Sequence, residues 1–426
     1  MAEKYEYVDL KYMPAATDLV AKYRIVPNGI SIERACEHIA AESSIGTWTD
    51  VCTMSRALMN ELKPHVYEID RNAGTVKIAY SASLFEANNI PQILSSVAGN
   101  IFGMSAVKSL RLLDISFPKS IVTANPGPAF GIKGIREMTG VKKRPLVGTI
   151  IKPKVGLDAE NHALVAYNAW VGGLDIVKDD ENLTSLKFNP FNERVQLTLR
   201  AREKAEIEAG ERKFYMPNVT AEANEMLRRA RFVKAHGGEY VMIDVLTAGF
   251  SALQTLRDAD LGLVIHAHRA MHGALTRSPV HGISMLAIAK ICRLIGVDQL
   301  HIGAIVGKMH GSEKEVLAIQ ENITGGLVTH DDAKDVLLQN WYSTKPVIPV
   351  ASGGLHPGSV PDVVKYMGRD IIMQFGGGCH GHPRGTTAGA RAIRQAVEML
   401  DIKGGKVPAE FVELKEALEC WGKKGK

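Results

Sequence analysis

The sequence is poor in the features that mark several large protein classes. It holds only five cysteines, Cys36, Cys52, Cys292, Cys379 and Cys420, odd in number and with no CxxC pair. That pattern argues against a disulfide framework and for reduced thiols in a cytosol. No stretch is long and apolar enough to span a bilayer, and the opening MAEKYEYVDL lacks the apolar core of a signal peptide. A soluble cytoplasmic protein with no membrane contact is therefore expected. Aromatic residues make up only 6%, and the formal charge of +5 is scattered, with small basic clusters at VKKR (141–144) and the terminal WGKKGK. Neither is the dense basic stripe with interleaved aromatics that nucleic acid requires, so nucleic acid is not an expected partner.

What is present suits an enzyme-sized globular chain. Its 426 residues, 46% hydrophobic and 23% charged, are enough for two domains with a sizeable core. TANPGPAFG (123–131), with two prolines and two glycines, reads as a connector. Before it, SIERACEHIAAE and NIPQILSSVAGNIFG have helical spacing while GTVKIAYS alternates like a strand, which predicts an α+β domain over residues 1–125. After it, eight short apolar runs alternate with amphipathic stretches: LVGTIIK, LDIVK, FYMPNVT, YVMIDV, LVIHAH, QLHIG, VIPVAS and IIMQFG. DAENHALVAYNAW, NEMLRRARFVKAH and ISMLAIAKICRLI fit crossover helices. This α/β rhythm predicts a parallel (β/α)8 TIM barrel over residues 126–426. A doubly wound open sheet is the competing arrangement, because strand order is not written in a linear pattern.

The ends of the runs carry the chemistry. In order they finish at Lys152, Lys178–Glu181, Asn218, Asp244, His266–Arg269, His301, Ser352–Gly354 and Gly376–Gly378. Polar residues mark where any one strand meets solvent, but at all eight ends together they point to a site at the C-terminal mouth of a barrel.

GGLDIVKDDEN (172–182) is the densest stretch. Strand alternation puts Lys178 and Asp180 on one side and Asp179 on the other, with Glu181 just beyond. Two converging oxygens suit Mg²⁺. An ammonium beside them repels a cation, so on residue type alone an ion pair between Lys178 and the acids, with no metal, is the simpler reading. Lys152 and Lys154 flank Pro153 with the same parity, and burial there would release a neutral amine; two exposed loop lysines are the plain alternative. In HAHRAMH, His266 and His268 share a face, and Arg269 suits phosphate better than a metal. VGKMHG (306–311) places Lys308 in a loop able to close over substrate. SGGL and FGGG follow the last two runs, where barrels bind phosphate through backbone N–H groups. With Arg269 and His301 on another side, the mouth suits two phosphates at once.

Taken with AAESSIGTWTDV, GNIFGMSAVKSLRLLD, KPKVGL, HAHRAMH, HGISMLAIAK, VGKM, PVASGGLHPG and QFGGGCHGHP, in order along most of the chain, GGLDIVKDDEN resembles the signature of the ribulose-1,5-bisphosphate carboxylase/oxygenase (RuBisCO) large-subunit family. VMIDVLTAGFSALQ and SGGLHPG resemble its archaeal (form III) branch. The resemblance implies carboxylation of ribulose 1,5-bisphosphate to 3-phosphoglycerate, with competing oxygenation, through an Mg²⁺-bound enediolate. It implies that activator CO₂ converts Lys178 to a carbamate, which holds Mg²⁺ with Asp180 and Glu181 and removes the C3 proton, while Asp179 is structural. It assigns Lys152 to proton handling at C2, Lys308 to the new carboxylate, and His268 and Lys154 to the surroundings of the enediolate. Arg269, His301 and Ser352 would hold one phosphate and nearby hydroxyls. Gly353, Gly354, Gly376, Gly377 and Lys308 would serve the other, joined by Thr47 and Trp48. Glu42, Thr47, Trp48 and Asn100 would enter a partner subunit's site, making a homodimer the smallest active unit, with no small subunit implied.

Two positions depart from the plant-like pattern: Ile150 stands for a threonine and Ile302 for a serine, each removing a hydroxyl near substrate. A RuBisCO-like enolase or isomerase of a related phosphorylated sugar is the nearest alternative, but Glu42, Asn100, Lys152, Lys178, His301 and Lys308 are all present and favour carboxylation. A Schiff-base aldolase using Lys152 or Lys178, and a non-catalytic binding protein, are the other classes. The archaeal affinity suggests nucleotide or pentose salvage; a Calvin-type cycle is the other pathway.

Overall fold

The computed structural model describes residues 6–47, 49, 51–306, 313–402 and 406–422. The chain forms two compact units. One is built on the stretch up to Gly127, together with Met271–Ile295 and Gly325–Thr344; the other on Pro128–Ala270, Gly296–Thr324 and the stretch from Lys345 onward.

The first unit is α+β. Its five-stranded sheet runs, edge to edge, Gly282–Ile283, Val107–Ser116, Asp18–Pro27, Thr75–Ser81 and His65–Asp70. Along Asp18–Pro27 the buried apolar residues Leu19, Ala21, Tyr23 and Ile25 recur with the period of two that a strand requires. The helix Ile32–Glu42 starts at Ser31, whose side chain accepts from the Arg34 amide, and it buries Ala35, Cys36, Ile39 and Ala40 on one face. A division of the chain at 125/126 assigns Met271–Ile295 and Gly325–Thr344 to the barrel domain, yet both group with the first unit. The reason is long-range pairing. Gly282–Ile283 lies parallel to Arg111 and Leu112. Lys290 Nζ sits 2.7 Å from Asp114 Oδ2, both groups fully buried, and the Leu337 amide donates to the same oxygen at 2.7 Å. Periodicity reports only local structure and carries no trace of such pairs.

In the second unit all eight apolar runs are strands: Leu146–Ile150, Ile176–Lys178, Phe214–Met216, Tyr240–Asp244, Val264–His268, Gln299–His301, Ile348–Ser352 and Ile372–Phe375. They are called the first to eighth barrel strands below. All pairings are parallel, and the hydrogen-bonded order is third, second, first, eighth, seventh, sixth, fifth, fourth. The two ends meet: Asn218 bridges Met242, with Val219 N donating to Met242 O at 2.9 Å and Met242 N to Pro217 O at 2.8 Å. The sheet is therefore a closed barrel, and the open doubly wound alternative is excluded. Leu146, Ile176, Phe214, Tyr240, Val264, Ile348 and Ile372 form one buried cluster, against which Ile132 and Met138 of the helix Gly131–Thr139 pack. Apolar residues thus fill the barrel near the starts of its strands and leave their C-terminal ends for polar groups. Among the described residues no helix is long and apolar enough to cross a membrane.

Candidate active site

A cavity of about 1140 Å³ opens at the C-terminal ends of the barrel strands. The first strand and its continuation contribute Ile150, Lys152 and Lys154; the second contributes Lys178, Asp180 and Glu181. His268 and His301 come from the fifth and sixth strands, and Ser352, Gly353 and Gly354 from the seventh. The eighth supplies Gln374, Gly376 and Gly377.

Lys178, the last residue of the second strand, is 1% exposed, and its Nζ donates to Asp179 O at 2.7 Å. The ion pair expected between Lys178 and the acids is made by other lysines. Lys152 Nζ lies 2.7 Å from Asp180 Oδ2, and Lys154 Nζ lies 2.7 Å from Glu181 Oε1. The first and second strands are neighbours, with Ile150 opposite Lys178, so residues just past Ile150 reach the acids just past Lys178. Burial lowers the pKa of the Lys178 amine, and the nearby Glu181 and Asp180 offset this only in part. Lys154 moves the other way: its hydrogen bond to Glu181 raises its pKa, at a half-exposed position. The neutral amine anticipated at the KPK stretch is thus favoured at Lys178 and opposed at Lys154. Burial alone would raise the Glu181 pKa, but the Lys154 hydrogen bond and other nearby groups hold it well below the usual carboxylate range.

Asp179 faces away from the cavity, as strand parity requires. Its carboxylate accepts from Arg194 Nε at 3.1 Å, Tyr215 OH at 2.6 Å and the Asn218 amide at 2.9 Å, and His162 Nε2 lies 3.1 Å away. The helices Ala159–Val171 and Phe191–Ala209 bring His162 and Arg194 to it. This buried clamp anchors the backbone between Lys178 and Asp180.

His266 and His268 divide their roles. His266 is fully buried and joins a chain: its Nδ1 is hydrogen-bonded to Gln299 Oε1 and its Nε2 to His301 Nε2, each at 2.8 Å, and His301 Nδ1 to Ser352 Oγ at 2.8 Å. Burial pushes His266 down to about 3 and His301 well below its ordinary value, so both rings are neutral near pH 7. His301 and Ser352 therefore present hydrogen-bonding groups rather than charge. His268 lines the cavity, with Nδ1 2.6 Å from Asp244 Oδ1 and Nε2 4.0 Å from Glu181 Oε2. The orienting role of Asp244 was not read from the sequence; its signal is an acid ending the strand that pairs, in register, with His268. Arg269 is not part of the cavity lining. Its guanidinium lies against Gly303, where a Cβ would come within 2.9 Å of Nη2, and burial lowers its pKa to about 10.

The glycine turns after the seventh and eighth strands line the cavity. Gly353 and Gly354 have φ of 115° and 78°, open to glycine and costly for other residues. At Gly378 a Cβ would stand 2.1 Å from Leu355 O. Gly378→Ala is therefore expected to displace the 376–378 turn, costing about 1–3 kcal/mol in stability and raising KM for a phosphorylated substrate; thermal melting and steady-state kinetics check both.

In the first unit, Asn100 Nδ2 donates to Glu42 Oε1 at 3.3 Å, and Thr47 is exposed. Trp48 and Lys308 lie outside the described residues. Among the described residues no three His, Cys, Asp or Glu side chains converge as a metal site. Asp180 and Glu181 offer two carboxylates to the cavity.

Comparison with known proteins gives a consistent picture. Residues 6–121 match the family profile described as ribulose bisphosphate carboxylase large chain, N-terminal domain, and residues 131–421 match that of the catalytic domain. The chain is 53% identical over 425 residues to a ribulose bisphosphate carboxylase of Methanosarcina barkeri, covering 98% of this chain and 99% of that one. It is 54% identical over 426 residues to that of Methanocaldococcus jannaschii, covering 98% and 100%. Among solved structures, a dimeric archaeal Rubisco from Hyperthermus butylicus superposes with a TM-score of 0.93 at 45% identity, covering 98% of this chain and 99% of the other. An octameric Rubisco from Pyrococcus horikoshii gives 0.90 at 45% identity, covering 98% of each.

Proposed function

The chain belongs to the ribulose bisphosphate carboxylase large-chain family, and from that membership we propose that it carboxylates D-ribulose 1,5-bisphosphate to two molecules of 3-phosphoglycerate, with O₂ as a competing reactant. The archaeal relatives support placing it in the archaeal (form III) branch.

The observation that carries the mechanism is Lys178, a buried amine of lowered pKa beside two carboxylates. An uncharged amine adds CO₂: the nitrogen–carbon bond forms, one N–H proton leaves to solvent, and a carbamate anion remains. That change replaces a repelling cation by an anionic oxygen donor next to Asp180 and Glu181. The three residues together would hold Mg²⁺, a hard cation that prefers oxygen ligands. When bound, Mg²⁺ supplies Lewis acidity that stabilises negative charge on substrate oxygens. Lys152 and Lys154, which neutralise the same acids in this structure, then have their ammonium groups available to substrate.

Carbamylated Lys178 takes the C3 proton, leaving an enediolate. C2 attacks CO₂ and forms the new carbon–carbon bond; the same carbon is open to O₂, which is why oxygenation competes. Water adds at C3, the C2–C3 bond breaks, and Lys152 delivers a proton to the C2 carbanion. Lys308 stabilises the new carboxylate, and His268, held by Asp244, and Lys154 flank the reacting carbons. His301 and Ser352 serve one phosphate from the cavity wall, and Arg269, which lies against Gly303 outside the lining, would have to turn its guanidinium toward the cavity to join them. The backbone of Gly353, Gly354, Gly376 and Gly377, with Lys308, serves the other. Glu42, Thr47, Trp48 and Asn100 complete the site of a second copy, so a homodimer is the smallest active unit. The dimeric and octameric relatives support a homo-oligomer.

The test is product analysis under anaerobic conditions with ribulose bisphosphate, labelled bicarbonate and Mg²⁺. Labelled 3-phosphoglycerate is expected, and its absence at saturating substrate would falsify the assignment.

A further inference from the structure

We propose that Gln374 binds a hydroxyl group on the carbon chain of the substrate from the floor of the cavity, an inference that rests on the bisphosphate reading above. Gln374 sits in the eighth barrel strand, two residues before Gly376. It is 1% exposed and lines the cavity, and neither its Nε2 nor its Oε1 has a hydrogen-bond partner among the described residues. Buried amides are ordinarily satisfied. Gln339, equally buried in the first unit, donates through Nε2 to Phe117 O and Asn340 O and accepts at Oε1 from the Phe117 amide. A bare amide facing a cavity instead of the core is an atom pair waiting for a ligand.

The barrel register places it. Gln374 lies opposite Ser352 on the seventh strand and opposite Gly148 on the first. Paired positions share a face, and Ser352 also lines the cavity. Gly148 clears the space beside the amide: a Cβ there would come within 3.0 Å of Gln374 Nε2 and 2.8 Å of Ile176 O. Lys178 and Ile150 stand two residues farther along the second and first strands, one pleat nearer the mouth. The amide therefore lies beneath the groups that surround the reacting carbons, not out at the glycine turns.

Chemistry selects the ligand class. The amide presents a donor and an acceptor side by side. A phosphate or carboxylate only accepts and would leave Oε1 bare; an ammonium only donates and would leave Nε2 bare. A hydroxyl does both. Opposite the amide the first strand has Gly148, with no side chain, and one pleat nearer the mouth the apolar Ile150, so its side chains at these two levels offer no hydrogen bond. Gln374 is thus a substrate-binding residue that distinguishes a polyol bisphosphate from one lacking hydroxyls.

Two unreactive probes test this: ribitol 1,5-bisphosphate and 1,5-pentanediol bisphosphate, titrated calorimetrically into protein incubated with bicarbonate and Mg²⁺. The unaltered protein is expected to prefer the polyol by about tenfold or more. Gln374→Leu should cut that preference by about tenfold, equivalent to about 1.4 kcal/mol, and leave the pentanediol affinity within about twofold. Its thermal midpoint should be unchanged or higher, since two unsatisfied buried atoms are removed. Gln374→Met, of the same length and unbranched, guards against a packing artefact and should behave alike. If both variants keep the original preference, or lose both probes together with a lowered midpoint, Gln374 is structural and the proposal is overturned. If the unaltered protein binds neither bisphosphate, the substrate reading itself fails and takes this inference with it.

Discussion

Replacing Lys178 with methionine is expected to lower kcat for carboxylation by about 10³-fold or more, the scale of losing a positioned base together with a metal ligand. The ¹³C carbamate resonance seen with labelled bicarbonate should vanish in the same variant. Stability should not suffer. The amine is 1% exposed and among the described residues makes one hydrogen bond, to Asp179 O, so an apolar side chain of similar length relieves a desolvation cost. Lys178→Arg should be equally inactive, because a guanidinium does not lose its proton near neutral pH and cannot add CO₂; it should also melt lower, since a larger charged group is forced into the same buried space. A Lys178→Met protein that keeps more than a few per cent of activity, in an assay that resolves labelled product, would show that this amine is not the activated group.

The second large effect is expected at a residue that never meets substrate. Asp179→Ala should destabilise the fold by about 3–5 kcal/mol, the cost of leaving a buried charge uncompensated. Arg194 is fully buried, and among the described residues Asp179 is the acid within ion-pair distance of it. Burial alone would raise the Asp179 pKa, but Arg194, His162 and Tyr215 outweigh it and hold the carboxylate far below its ordinary range. The pair is therefore ionised near neutral pH. Against a total stability of about 5–15 kcal/mol, the loss approaches unfolding. Tyr215 donates to Oδ1 and the Asn218 amide to Oδ2, so Asp179→Asn keeps one of these two acceptors and loses the other with the charge; its cost should be smaller than that of the alanine variant, which loses both. Urea denaturation of both variants measures the difference. A cost below about 1 kcal/mol for the alanine variant would mean that Arg194 does not hold the segment between Lys178 and Asp180.

The two variants separate what the linear pattern revealed from what it hid. Strand parity over Lys178, Asp179 and Asp180 correctly sent the first and third toward the cavity and the second away from it, because alternation is a property of the local backbone. The eight apolar runs became eight strands for the same reason: each is short, apolar and ended by polar groups. The partners of Asp179 were not legible. His162, Arg194 and Tyr215 lie 17 residues before it and 15 and 36 after it, and nothing in their immediate context marks them. Closure of the ring between Asn218 and Met242, the return of Gly282–Ile283 to the first sheet and the link from Asp244 to His268 were hidden likewise, since each depends on register between distant segments.

The sequence by itself determined the fold class, the family and the residue types gathered at the strand ends, because periodicity and motif order are local and survive in one dimension. Only the tertiary structure decided which lysine has its charge disfavoured. Lys152 and Lys154 look like the better candidates in the chain, flanking a proline, yet they reach the acids and Lys154 is held protonated, while Lys178 is sealed from water. Desolvation is a sum over neighbours contributed by other strands, and no single stretch of residues contains that sum.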